Sequence, residues 1–263
     1  MKATMAIARA TFGEAIRKRV LLIILLVTVL IIFVSPAFSV LSPRDQRTIL
    51  LSFGLGVIQI SGTLVAIILC INMLPQEIER RTIYTILSKP VMRYNFILGK
   101  YFGAVTTLIF SYFLMGLIYL LVLRQFMPGF DGEFAREVAY GIFMFFMQSS
   151  LLAAVTIFFS TFASPMVNFF LSGGAFLVGN ILSTLLNTLM NNPKITEAAR
   201  LPIRLLVLAM PNFSNFNVQN PIINPQQTLS NPTAYLLQTL VYALTYIVLM
   251  MVGAILIFDR REV

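Results

Sequence analysis

Long uncharged apolar stretches alternate with short basic ones along this chain. Residues 101–123 and 138–193 carry no charge at all, and about 20 apolar residues suffice for a helix to cross the hydrocarbon layer. The pattern predicts spans at about 20–41, 49–74, 101–123, 138–163, 166–190 and 234–258. The fourth and fifth share one 56-residue uncharged run, too long for a single crossing, and Ser164-Pro165 is where it should fold back as a hairpin. Ahead of the first span, Met5, Ala8, Phe12, Ala15 and Ile16 recur at helical spacing among Lys2, Arg9, Glu14 and Arg17 to Arg19. That spacing predicts an amphipathic helix over 2–19, lying on a membrane face. A basic start and an apolar run also describe a signal peptide. This run is long and has no clear A-x-A cleavage site, so it reads as an uncleaved first span.

Punctuation between the spans agrees with this division. Four Asn-Pro steps, at 192–193, 220–221, 224–225 and 231–232, break residues 191–233 into a loop, since proline stops regular pairing and the residue before it avoids the helical region. Within it, Pro202 to Met210 has a helical pattern too short to cross. Span two is rich in small residues, Gly54, Gly56, Ser61 and Gly62, and span three opens with Gly99 and Gly103 on one face. Small residues allow helices to approach closely.

Composition turns spans into a membrane protein. Of 263 residues, 58% are hydrophobic and 11% charged, where a soluble domain has roughly 25% charged residues. No aqueous fold hides that much apolar surface. The net charge of +9 serves orientation in the membrane rather than nucleic acid, because the cations flank the spans. Twelve Lys and Arg fall on the side of the amino tail, residues 75–100 and the carboxyl end, against seven on the other. The first side is then cytoplasmic. The predicted fold class is an all-α membrane protein of six transmembrane helices, both termini cytoplasmic, with the 191–233 loop facing outward.

The candidate chemistry is sparse, and that narrows the function. There is no histidine, a single cysteine, Cys70, and no carboxylate inside an apolar span. A metal or haem site would need carboxylates, and within the spans neither it nor an acid–base centre finds them. Ion-coupled carriers usually place ionisable groups in the membrane. These spans offer only neutral polar residues, Gln59, Asn72, Gln148, Asn168, Asn180, Asn187 and Gln238, whose expected role is hydrogen bonding between helices. An ion-coupled carrier is the weaker rival. A non-transporting scaffold that couples an ATPase to an extracytoplasmic partner stays open.

The most informative stretch is residues 75–100, between spans two and three. Wound as a helix, it places Glu77, Arg81, Thr85 and Ser88 on one side and Ile78, Ile83, Ile86 and Leu87 on the other. Pro75 can start that helix and Pro90 ends it. The pair Glu77 and Arg81 alone would suit an ordinary interfacial helix. Glu79 projects among the isoleucines, where a carboxylate needs a cation or backbone donors from the fold or a partner.

Here the chain resembles the permeases of type-2 ATP-binding-cassette exporters. Their first cytoplasmic loop reads approximately E-x-x-G-T, leucines, S-x-P-V-S-R, an aromatic and G-K. This chain has Glu79-Arg80-Arg81-Thr82, Ile86-Leu87, Ser88-Lys89-Pro90-Val91-Met92-Arg93, Phe96 and Gly99-Lys100, departing at Arg81 and Met92. The resemblance implies one permease domain over 1–263 and a coupling helix that seats on a separate ATPase. The residues expected to couple are Glu77, Glu79, Arg80, Arg81, Thr82, Ile86, Leu87, Ser88, Lys89, Pro90 and Arg93. It further implies two cytosolic ATPase subunits holding ATP and Mg, a second permease copy or paralogue, and a multi-pass location in a bacterial inner membrane. No cofactor is expected on this chain, which is not catalytic by itself. An accessory protein on the outward loop and an amphiphilic or lipid-linked substrate complete the expectation. No phosphate-binding loop is present: Tyr94 stands five places before Gly99, where a glycine is needed. Leu171-Ser172-Gly173-Gly174 mimics the start of a transporter-ATPase signature, but its place in the uncharged run points to helix packing.

Overall fold

A computed structural model describes residues 2–40, 46–76, 92–127, 129–190, 210–218 and 232–260. Among these are seven α-helices: α1 (Lys2–Arg17), α2 (Arg19–Val40), α3 (Gln46–Ile71), α4 (Arg93–Phe126), α5 (Gly132–Ser160), α6 (Pro165–Met190) and α7 (Pro232–Arg260). A 3-10 turn, Phe213–Phe216, lies between α6 and α7, and no strand occurs among the described residues. Helices α2 to α7 are each long and apolar enough to cross a membrane, so the chain is an all-α membrane protein of six spans.

Local sequence explains the helix ends. Asp131 caps α5, its carboxylate accepting from the Phe134 N–H at 2.7 Å. Pro165 opens α6 at a position where its missing N–H costs nothing. Within α2, Pro36 has no N–H for the carbonyl of Ile32, and the Ser35 hydroxyl donates to that carbonyl instead, at 2.7 Å. The helices outrun the apolar stretches. α4 starts at Arg93 rather than near 101 and runs 34 residues, about 51 Å at the α-helical rise. Its first two turns carry Arg93 and Lys100, so loss of apolarity marks where hydrocarbon ends and not where the helix does.

Burial ranks the spans. α5 is 78% buried over its apolar stretch and α3 61%, against 33% for α2, 28% for α6 and 22% for α7. α5 is the central post. α4 packs on α3 through two tyrosines set on glycines: a side chain on Gly54 would collide with the Tyr119 ring, and one on Gly62 with the Tyr112 ring. The Tyr119 hydroxyl donates to the Leu50 carbonyl at 3.2 Å. The Tyr112 hydroxyl bonds Ser149 of α5 at 2.7 Å. These two glycines of span two therefore receive rings from a neighbouring helix.

Of the polar span residues expected to bond between helices, Gln59, Gln148 and Asn180 do so, and Gln148 has an unexpected further partner. Gln148 on α5 is fully buried; it accepts from Gln59 Nε2 of α3 at 3.0 Å and donates to Asn180 Oδ1 of α6 at 3.3 Å. Its amide also donates to the backbone carbonyl of Phe213 at 2.9 Å. Gln148 lies about 24 Å in from the Gly132 end of α5, the end at which α7 begins, so the 210–218 segment reaches deep into the bundle. Phe213 and Phe216 are fully buried, and a side chain on Gly179 would strike the Phe213 ring and the Pro211 carbonyl. Irregular backbone at that depth must be enclosed by protein. Tyr242 and Tyr235 of α7 complete the enclosure, accepting from Asn212 N–H and donating to the Asn215 carbonyl, each at 2.6 Å.

Candidate functional site

The end of the bundle where α4 begins gathers α1, the last turn of α7 and the chain leading out of α3. Of the residues expected to couple, Glu77, Glu79, Arg80, Arg81, Thr82, Ile86, Leu87, Ser88, Lys89 and Pro90 lie outside the described residues, and only Arg93 lies within them. Around Arg93 stands the frame into which that segment feeds.

Arg93, in the first turn of α4, reaches across to the end of α7. Its Nη1 donates to the carbonyls of Phe258 at 3.2 Å and Asp259 at 3.1 Å. These belong to the last turn of α7, where carbonyls lack helical partners and a cation is favoured. The guanidinium carbon lies 6.0 Å from the Phe258 ring centre, and that ring stacks with Phe96 at 6.3 Å. Lys100, two turns on from Arg93, is only 6% exposed and holds its ammonium 5.6 Å from the Phe96 ring centre. The Arg93, Phe96 and Lys100 positions of the loop motif therefore form one side of α4, with Arg93 and Phe96 closed against α7.

A second constraint comes from α1. Gly99 and Gly103, four apart on α4, let α1 approach closely: a side chain on Gly99 would meet Ile7 at 2.8 Å, and one on Gly103 would meet the Ala8 carbonyl at 2.9 Å and Thr11 at 2.6 Å. The Thr4 hydroxyl donates to Asn95 Oδ1 at 3.1 Å, and Phe12 meets Phe110 edge-on at 6.3 Å. The inward face of α1 is Ala8, Thr11 and Ala15, whereas Met5 is 62% exposed. Helical spacing sets bulky and small apolar residues on one face without ranking them. Ala8 and Thr11 pack against Gly103 and Ile7 against Gly99, and Met5, pointing away from both glycines, is left for lipid.

The other polar and small residues singled out by the sequence divide between those that find partners within the bundle and those that do not. Asn168 donates to the Thr156 carbonyl at 3.1 Å and accepts from Ser172 at 2.9 Å, tying the α5–α6 hairpin. Ser172 of the signature-like tetrad is thus taken up within α6. Side chains placed on Gly173 and Gly174 would meet nothing within 4 Å among the described residues apart from the adjoining backbone of α6 itself, so the packing expected there is not made among the described residues. Gln238 is exposed on α7. No cluster of three metal-ligating side chains occurs among the described residues. Sequence reasoning missed the α7 carbonyls that Arg93 binds and the Phe213 carbonyl that Gln148 binds. Backbone acceptors carry no residue signature, and the Phe258 and Phe213 carbonyls lie 165 and 65 residues away along the chain.

No curated protein matches the chain. A family model described as ABC-2 family transporter protein matches residues 5–263, from the first turns of α1 to beyond the end of α7. With that match running through every span, the chain belongs to the ABC-2 family of transporter proteins and is a membrane-embedded permease of an ABC transporter.

Proposed function

We propose that this permease exports an amphiphilic or lipid-linked substrate, driven by two separate ATPase subunits that seat on residues 75–100 from the cytoplasmic side. One observation carries the reading. The helix that leaves this segment is clamped at its first turns to α1 through Gly99 and Gly103 and to the end of α7 through Arg93. A displacement of the segment therefore moves α1, α4 and α7 as one block, as rigid-body switching requires. Residues Glu77, Glu79, Arg80, Arg81, Thr82, Ile86, Leu87, Ser88, Lys89 and Pro90 would meet the ATPase, and Arg93 would pass the motion to α7.

The uncharged interior supports an amphiphile over a small ion. Its buried polar groups include amides and hydroxyls already bonded to each other, with no fixed charge to select an ion. A second copy or a close paralogue completes the pathway, and the face of α6 with Gly173, Gly174 and the exposed Phe170 and Leu177 suits close contact with it. ATP and Mg reside on the ATPases. The greater positive charge of the amino-terminal end supports its cytoplasmic placement in a bacterial inner membrane; an accessory protein outside would then have only the parts of the 191–233 loop on either side of the buried 210–218 segment to bind.

The test is purification of the chain from its native membrane in mild detergent, identification of what accompanies it, and ATP hydrolysis with Glu79→Ala. A stoichiometric P-loop ATPase, with turnover lost in the variant, is the expected result. An ATPase that couples normally but moves no amphiphile, by flux assay in proteoliposomes, would favour the scaffold. The chain alone, indifferent to Glu79→Ala, would overturn the coupling assignment.

A further inference from the structure

At the basic end of the bundle, where α1 gives way to α2, two recesses adjoin. The wider, about 630 Å³, is lined by Ala10, Gly13, Glu14, Arg17, Lys18 and Gln76. The narrower, about 290 Å³, shares Lys18 and Gln76 with it and runs between α2 and α3, with Leu21, Ile24, Val65 and Ile68 among its walls and Arg19 at its rim. Polar and cationic groups thus ring an opening that leads into an aliphatic slot.

Most of the positive charge at the mouth stays available. Lys18 is shared with Glu14 at 3.3 Å. Arg17 and Arg19 are exposed, and no ion pair or hydrogen bond holds either guanidinium among the described residues. Among the described residues, three cations against one carboxylate leave the mouth net positive. Arg19 opens the first apolar span, so the mouth sits at headgroup level and the slot at the level of the first acyl carbons. A free phosphate would use the mouth and leave the slot unfilled. An acidic protein segment has no reason to enter aliphatic walls at that depth. A two-part ligand satisfies both: an anionic headgroup for the cations, and a hydrocarbon chain for the slot.

We infer that these joined recesses hold one anionic phospholipid of the adjacent leaflet, its phosphodiester against Arg17, Lys18 and Arg19 and one acyl chain between α2 and α3. The site is separate from the coupling frame at Arg93 and does not depend on the direction or cargo of transport. It differs from the general attraction of a basic surface for anionic lipid, because it has a wall that can be filled without touching a charge.

Native mass spectrometry of the purified full chain in neutral detergent decides this, with phosphatidylglycerol, phosphatidylcholine and inorganic phosphate as probes. Wild type is expected to retain one phosphatidylglycerol in preference to phosphatidylcholine, and phosphate is expected not to displace it. Lys18→Gln with Arg19→Gln should weaken retention about fivefold for each cation removed. Ile68→Trp, which fills the slot and leaves all three cations, should weaken it as much. Should Ile68→Trp fail to fold, Ile24→Trp on the facing wall makes the same test. Equal retention of the two lipids, displacement by phosphate, or undiminished phosphatidylglycerol binding in the slot-filled variant would overturn the site.

Discussion

The bonds around Gln148 and those around Arg93 both join segments far apart in sequence, and they are built from opposite materials. The first are neutral, buried and matched among themselves: two glutamines, an asparagine and a backbone carbonyl. The second use a guanidinium on two helix-end carbonyls and an ammonium beside an aromatic ring. Depth explains the difference. In the hydrocarbon every polar group must find its partner inside the protein, and a charge there is costly. At the end of the bundle, water and headgroups lower that cost, so charge becomes usable for gripping a helix terminus. The middle fixes the shape of the bundle, and the end is where, on the proposed reading, a push from an ATPase would be received.

The largest expected effect tests the middle. Gly62→Leu forces a side chain into Tyr112, whose hydroxyl is held by Ser149, and overpacking of this kind should lower stability by about 3 kcal/mol or more, measured by unfolding in a denaturing-detergent titration. Gln148→Leu keeps the volume but strands the Phe213 carbonyl and the two amides; about 2 kcal/mol should be lost. Faster proteolysis within residues 210–218 should accompany it, since the segment loses its anchor. A stable Gln148→Leu protein with unchanged protection would show that the tyrosines of α7 hold that segment unaided.

Smaller effects are expected at the end. Arg93→Ala should cost only about 1 kcal/mol, the scale of a cation at a helix C-terminus, yet reduce coupled ATP turnover far more than stability. Arg93→Lys should recover most of the stability, because the charge remains, and less of the turnover, because an ammonium does not present the planar fork of a guanidinium. Equal loss of both properties in the two variants would remove the distinction between a shape-holding middle and a force-receiving end. As a baseline, Arg136→Ala breaks only an exposed pair with Glu133 at 3.5 Å and should shift the unfolding free energy by less than about 0.5 kcal/mol.

Much of this architecture is legible in the chain itself. Runs of apolar residues fix the number of spans, because lipid thickness sets a length that composition alone must meet. Pro165 fixes the hairpin and the absence of intramembrane charge excludes most chemistry, both local properties of the chain. The motif from Glu79 to Lys100 resembles that of a permease family, and the family match over residues 5–263 agrees. Tertiary structure alone decided which groups the polar residues meet. Nothing adjacent to Gln148 announces that its amide will hold a carbonyl 65 residues away, nor does Arg93 announce the end of α7. The same holds for the face of α1 that packs, since Ala8 and Thr11 gain their role only from Gly103 on another helix. Periodicity reports which side of a helix avoids water, and in a membrane lipid and protein satisfy that demand alike. Choosing between them takes the shape of the neighbouring helix, which is written elsewhere in the chain.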